Sequence, residues 1–268
     1  MRRLIFILLA LVAWAWSQEL KLVPAPRSIE RGKGQLTLRS PVEILVAAKE
    51  DRLAAETLVE EIKAIHGLSA SIGGPGNPAI RILRAGTPDV DREIERLGLD
   101  RAALRNDEGY VLRVNPAGAL VAGRTAAGVF YGVQTLRQLV APGGRVPAVI
   151  ISDWPALRYR GLSVDISRGP FLTEDRMKAL IRTAAEYKLN MLSFYMEHVF
   201  TYRHTPLVAP EGGEFTPELA RRLAAYARRY HVDLVPQQQM FGHLHHMLKL
   251  ERYAELAEVP HGFVITPE

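Results

Sequence analysis

Chemistry-bearing side chains gather in three short stretches of this chain. Asp165 ends the run Gly161-Leu-Ser-Val-Asp165, which Arg160 opens. Glu197 and His198 follow the apolar run Met191 to Met196. The loop Gln237-Gln-Gln-Met-Phe-Gly-His-Leu-His-His246 carries three histidines. A carboxylate beside an imidazole has the right types for a general acid/base pair, so Glu197 and His198 are candidates for proton transfer; a solvated strand terminus would have the same composition. Three histidines raise the question of a metal. The loop, however, has no His-Glu-x-x-His helix and no carboxylate of its own, which favours a polar sugar-binding or structural loop. Arg160 is either a ligand-binding donor or an ordinary surface arginine. Tyr195, Phe200, Tyr202 and Trp154 are the types that line sugar pockets and equally the types that fill cores. No Ser-His-Asp order and no nucleophile elbow is present.

A repeated strand–helix pattern positions these residues. Gly161 to Ile166 alternates small or apolar residues with polar ones and breaks at Gly169-Pro170. Thr173 is a helix N-cap with Glu174 and Asp175 in the first turn, where the helix dipole favours acids. Met177, Leu180, Ile181 and Ala184 then recur at helical spacing, and Met191 to Met196 is short enough for a buried strand. A strand, a crossover helix and a second strand make parallel strands, with chemistry at their C-terminal ends. The pattern repeats: Thr216-Pro217-Glu218 starts a helix carrying Leu219, Leu223, Tyr226 and Tyr230, and Val232 to Pro236 is a third strand. Gln237 to His246 is its following loop, and Leu248 to Ala257 is helical by spacing.

Residues 20–153 read as a separate α+β domain. Gln35 to Leu38, Val42 to Val46 and Ala79 to Leu83 are strands. Arg52 to Ile65 is an amphipathic helix facing inward through Ala54, Leu58, Ile62 and Ile65, with Gly67 past its end. Gly73 to Gly76 is a loop, and Asp89 to Leu104 is a charged, mostly solvated short helix and loop. Gly109 to Val114 and Ala119 to Ala122 form a hairpin around Asn115-Pro-Ala-Gly118. Thr125 caps a helix running through Val140, Pro147 to Ile151 is a last strand, and Asp153-Trp154-Pro155 is a linker. This order gives a sheet with its helices on one face.

Composition excludes several function classes. About half of the residues are apolar, as in globular proteins, and the net charge is a modest +5 without a basic run interleaved with aromatics, so nucleic acid is not an expected partner. Met1-Arg-Arg3, the apolar run Leu4 to Trp14 and Ala15-Trp-Ser17 form a secretory signal peptide over residues 1–17, and the alternative, an uncleaved anchor, has a short apolar run for a full span. The expected location is secreted or periplasmic, with no membrane contact after cleavage. There is no cysteine, hence neither a disulfide nor a lipidated residue. Residues 158–268 hold three βα units, which would leave a parallel sheet with an open edge, so the sequence reads as an N-terminal fragment of a longer protein.

The pattern Tyr159-Arg-Gly-Leu-Ser-Val-Asp-Ile-Ser-Arg168, with the following helix ending Tyr187-Lys-Leu-Asn190, resembles the first barrel unit of glycoside hydrolase family 20, the β-N-acetylhexosaminidases. Val235-Pro-Gln-Gln-Gln-Met-Phe-Gly-His243 is similar to that family's third-strand segment, usually Pro-Glu-x-Asp-x-Pro-Gly-His. Glu108-Gly-Tyr-Val-Leu and Ala127-Gly-Val-Phe-Tyr-Gly-Val-Gln-Thr-Leu136 look like the α+β domain that precedes the barrel. The resemblance implies an α/β fold, the first three units of a (β/α)8 TIM barrel behind that domain. It implies that Arg160 binds hydroxyls of the terminal sugar, that His243 supports the catalytic acid, and that Glu197 and His198 stand where the family has a substrate-side acidic pair. Gln237 and Gln239 replace the usual Glu and Asp, Phe241 replaces the usual Pro, and His198 and Val199 fall on the usual Asp-Asp positions.

The family's consecutive Asp-Glu at the end of the fourth strand has no counterpart after His243 and is expected beyond residue 268; Asp107-Glu108 lies in the wrong domain. The implied reaction releases terminal N-acetylhexosamine from an oligosaccharide or glycoconjugate by substrate-assisted retention. The sugar's acetamido oxygen attacks the anomeric carbon, the Glu protonates the leaving oxygen and the Asp orients the acetamido group. No metal or organic cofactor is implied. Alternatives are a family 84 hexosaminidase, an α-glucuronidase-like glycosidase, or a non-catalytic carbohydrate-binding relative.

Overall fold

The computed structural model describes residues 20–73, 76–205, 207–260, 262 and 264–265. The expected signal peptide at residues 1–17, and Gly74 and Pro75 of the expected glycine loop, lie outside the described residues. The chain divides into two compact units, Met1–Trp154 and Pro155–Glu268. Among the described residues no helix is long and apolar enough to cross a membrane.

The first unit is built on a seven-stranded mixed sheet. Its strands are β1 (Ser28–Thr37), β2 (Val42–Val46), β3 (Ala70–Ile72), β4 (Ile80–Arg84), β5 (Tyr110–Asn115), β6 (Gly118–Gly123) and β7 (Arg145–Asp153), in the order β1-β7-β5-β6-β4-β2-β3. Helix α1 (Arg52–His66) buries Ala54, Ala55, Leu58 and Ile62 and stops where Gly67 turns left-handed. The expected inward residue Ile65 is instead 66 % exposed, because the buried stripe is centred on the earlier turns. Helix α3 (Ala126–Leu139) starts under the Thr125 hydroxyl, which accepts from the Gly128 N–H. It lies close to β5 and β6 because Gly132 has no side chain: a Cβ there would stand 2.6 Å from Val121 and 3.0 Å from the Tyr110 ring.

The expectation of helices on one face is corrected. Helix α2 (Pro88–Arg96) and the segment after it cover the opposite face, where Ile94, Leu99, Ala103 and Leu104 pack on Leu83, Val111, Leu120 and Ala122. The stretch that reads as solvated by charge thus buries a second small core. The linker also begins later than expected. Asp153 ends β7, buried, and accepts from the Tyr110 hydroxyl at 2.9 Å and the Arg27 N–H at 3.2 Å. Burial, with Asp153 beside it, holds the Tyr110 hydroxyl well above the usual tyrosine pKa.

The second unit carries a three-stranded parallel sheet, β8 (Gly161–Asp165), β9 (Met191–Met196) and β10 (Asp233–Gln238), in the order β10-β9-β8. Helix α4 (Glu174–Glu186) links the first two strands and α5 (Pro217–Arg229) the next two. The hydroxyls of Thr173 and Thr216 cap them by accepting from Arg176 and Leu219 N–H groups, and Pro217 occupies the first turn of α5. Met177, Ile181 and Ala184 of α4 and Leu223 and Ala227 of α5 are buried, as are Leu192 and Phe194 of β9. Register places Asp165, Tyr195 and Gln237 in one row across the three strands. The expected helix over Leu248 to Ala257 is replaced by a short helix α6 (His245–Leu248) and a 3-10 segment Glu251–Leu256.

Candidate functional site

The three strands end on the same side, and their C-terminal residues assemble one polar cluster. Glu197, just beyond β9, is at its centre, with a side chain only 9 % exposed. Its carboxylate accepts from the Tyr195 hydroxyl at 2.8 Å, and its backbone N–H donates to Ser167 Oγ at 2.6 Å. The Gln238 amide donates to the Glu197 carbonyl at 2.9 Å. His243 brings Nδ1 to 3.6 Å from Glu197 Oε1, beyond hydrogen-bond distance. It does so from a left-handed backbone, φ 59°, a conformation that non-glycine residues seldom adopt and that gathers at functional sites.

Arg168 completes the cluster. Its Nε donates to Asp165 Oδ2 at 2.5 Å and lies 3.9 Å from Glu197 Oε1, and its guanidinium stands over the Tyr195 ring. Asp165 also accepts from the N–H groups of Ser167 and Arg168, which shapes the turn. Burial pushes the Asp165 carboxyl up, but these donors outweigh it and hold it below the usual carboxylate range. Desolvation first, and then the Glu197 charge, raise the Tyr195 hydroxyl, which therefore stays protonated as a donor.

Arg160 does not join this cluster, and its expected sugar-binding role is corrected. It precedes β8 and so sits at the opposite end of the strand from Asp165. Its guanidinium is committed to backbone: Nε to the Lys188 carbonyl at 2.9 Å and Nη1 to the Leu157 carbonyl at 2.7 Å. Its own N–H is held by Asn190 Oδ1. Arg160 ties the entrance of β8 to the end of α4. The arginine at the chemical end of the strand is Arg168, which the sequence offers three residues after Asp165.

His198 is not paired with Glu197 either. Its ring stacks on His246 at 3.9 Å between centroids, and its Nδ1 is buried without a partner among the described residues. His245 meets His246 edge-on. The three loop histidines therefore point to three different neighbours, and among the described residues no group of three or more His, Asp or Glu is placed to hold a metal. Burial and His246 hold His198 below its usual pKa, partly offset by Glu197; burial, Lys249 and His245 do the same to His246. The folded unit thus resists protonation that the unfolded chain accepts below about pH 6.5, so stability present above that value is lost as pH falls through the folded pKa values. Thermal melts are expected to shift downward from about pH 7 to about pH 5.5, and His198→Phe, which keeps a stacking ring, should flatten that slope. An unchanged slope in the variant would remove the pair as its source.

Glu197, His198 and Gln238 also border a cavity of about 820 Å³, walled by Phe200, Met240 and Met247 among others. Behind the cluster, Gln237 accepts the hydroxyls of Ser163 at 2.8 Å and Ser193 at 3.0 Å, which cross-links all three strands. The cluster thus meets the cavity through Glu197 and Gln238, while His198 lines it beside apolar walls, a setting that suits a polar ligand with ring faces.

Comparison with known proteins agrees with this architecture. Residues 19–154 match the family model described as Glycosyl hydrolase family 20, domain 2. The chain is 30 % identical to a Beta-N-acetylhexosaminidase of Cellulomonas fimi over 84 % of this chain and 47 % of that protein. It is 26 % identical to a Beta-hexosaminidase of Porphyromonas gingivalis over 92 % of this chain and 33 % of the relative. A mutant Streptomyces plicatus beta-hexosaminidase solved with its product GlcNAc superposes with TM-score 0.75 at 28 % identity, over 94 % of this chain and 52 % of that one. The chain belongs to glycosyl hydrolase family 20. It is thus related to the beta-hexosaminidases, and it spans between a third and half of the length of these two curated relatives.

Proposed function

We propose that the chain contributes the leading α+β domain and the first three units of a (β/α)8 barrel to a β-N-acetylhexosaminidase. The substrate is an oligosaccharide or glycoconjugate ending in N-acetylhexosamine, released by substrate-assisted retention, with the catalytic Asp-Glu pair supplied by a further strand. The observation that supports this reading is the Glu197–His243–Arg168 cluster at the C-terminal ends of three parallel strands, where barrel enzymes keep their chemistry. In it Arg168 takes the sugar-hydroxyl role that the resemblance assigned to Arg160. Glu197, steadied by Tyr195, Ser167 and Gln238, sets the orientation of the His243 ring. A carboxylate on the Nδ1 side favours the tautomer with Nε2 as acceptor, so His243 can hold the proton of a neighbouring acid in place.

The test is His243→Ala in the longer enzyme, assayed on an aryl N-acetylglucosaminide. An imidazole that positions the acid should, when lost, lower kcat about 10–10²-fold, part of the whole general-acid contribution, and leave KM nearly unchanged. Wild-type constants would exclude His243 from the site. A second reading, a carbohydrate-binding relative without turnover, is favoured by the amides at Gln237 and Gln239 where the family has acids. Sugar binding without turnover in the longer protein would establish it instead.

A further inference from the structure

The face of the first sheet that α2 covers is covered only in part. Beyond the Ile94 cluster it opens into a second cavity, of about 310 Å³, bordered by Arg81, Arg96, Arg113, Glu93, Asn77 and Asn115. Three arginines there face one carboxylate. Register explains how they converge. Arg113 of β5 and Arg81 of β4 are both paired with Leu120 of β6, so the two flank one leucine and point to the same side of the sheet. Arg96 reaches the same space from the last turn of α2.

The charges in this cavity are unevenly matched. Arg81 forks both carboxylate oxygens of Glu93, and Arg96 stands 3.9 Å from the same group. Arg113, partly buried on a central strand, has no acidic or hydrogen-bonding partner among the described residues. A guanidinium drawn partly out of water without a counter-charge is unfavourable, and an anionic ligand would remove that cost. We infer that this cavity in the first unit is a binding site for an oxyanion, a sulfate or carboxylate group, either free or carried on a sugar. The inference does not depend on the catalytic reading of the second unit, since none of these residues belongs to it. A cavity of this size admits a charged group together with one sugar ring.

The test titrates the 268-residue chain calorimetrically at constant low ionic strength with two probes, sodium sulfate and N-acetylglucosamine 6-sulfate. Saturable binding is expected, weakened about tenfold or more by Arg113→Gln, which removes a charged donor with two hydrogen-bonding edges. Arg96→Gln, at a position 74 % exposed and therefore safe for folding, should weaken it in the same direction. Arg52→Gln, an exposed arginine outside the cavity, should leave it unchanged. Tighter binding of the sulfated sugar than of sulfate assigns the site to an anionic saccharide; equal binding assigns it to the free oxyanion. Absence of saturable binding to both probes overturns the inference. So does an equal loss in Arg52→Gln, which would reduce the effect to overall charge.

Discussion

Purified by itself and freed of contaminating glycosidases, the 268-residue chain is expected to show no turnover of an aryl N-acetylglucosaminide. The sequence holds one Asp-Glu pair, Asp107-Glu108, and Glu108 is followed by the hairpin of the first unit. At the ends of β8, β9 and β10 the side chains are Asp165, Glu197 and the glutamines of β10. Asp165 is held ionised by Arg168 and two backbone N–H groups, so it is a poor proton donor. On the proposed mechanism the Glu of the Asp-Glu pair is the general acid, and without it the leaving alkoxide departs unprotonated, which forfeits about 10²–10⁴-fold in rate. On the same mechanism the Asp of the pair holds the acetamido oxygen for attack, and its positioning is a term of comparable or larger size. Turnover that survived repurification would relocate the chemistry into this sequence, with Glu197 and His243 as its first candidates.

The second large effect separates two arginines eight positions apart in sequence and at opposite ends of β8. In the longer enzyme proposed above, with Arg168 as the sugar-hydroxyl donor, Arg168→Ala should raise KM for the aryl glycoside or lower kcat/KM about 10–10²-fold, since charge-assisted hydrogen bonds to a ligand are worth roughly 1.5–3 kcal/mol. Its melting temperature should change little, because the side chain is 65 % exposed. Arg160→Ala should do the reverse. It leaves the carbonyls of Lys188 and Leu157 without their donor and lowers the melting temperature, while the constants of the surviving folded enzyme stay near wild type. A matching kinetic loss in both variants, or a stability loss in Arg168→Ala alone, would refute the division.

Most of the framework was legible because it is written in local rules. Thr173, Thr216 and Thr125 are N-caps that satisfy specific N–H groups, and Gly67 ends its helix by turning left-handed. Met191–Met196 is a strand between helices, which fixes parallel pairing. What the sequence concealed depends on long-range contact. Ile94 and Leu99 sit among charged residues, and only a sheet face supplied by β4, β5 and β6 makes them core. The strand Ala70–Ile72 has three residues, too few for a periodic signal, and exists because β2 offers it an edge. For the site, strand-end placement brought Glu197 and His243 into view, but it did not say which end of β8 an arginine occupies. Reading Arg160 as the ligand donor followed motif proximity, whereas chain direction along the strand assigns that end to Arg168. The turning of His198 onto His246 required the loop's actual path.

The placement of β1 in the first sheet bears on the order in which the unit can be made. Its sole sheet neighbour is β7, paired from Ser28↔Ser152 to Thr37↔Arg145. The Arg27 N–H to Asp153 contact closes a separation of 126 residues. As the chain leaves the ribosome β1 therefore emerges before the other strands yet has nothing to pair with until β7 follows. The hairpin β5–β6, closed across two residues between Asn115 and Gly118, can form as soon as it is exposed. The sheet thus has a quick centre and a slow margin. Its last step joins the first-made described strand to the last-made one, a loop closure whose entropic cost is set by nearly the whole unit. The Tyr110 hydroxyl gains Asp153 one step earlier, when β7 pairs with β5, so that polar lock marks the arrival of the strand on which β1 then docks.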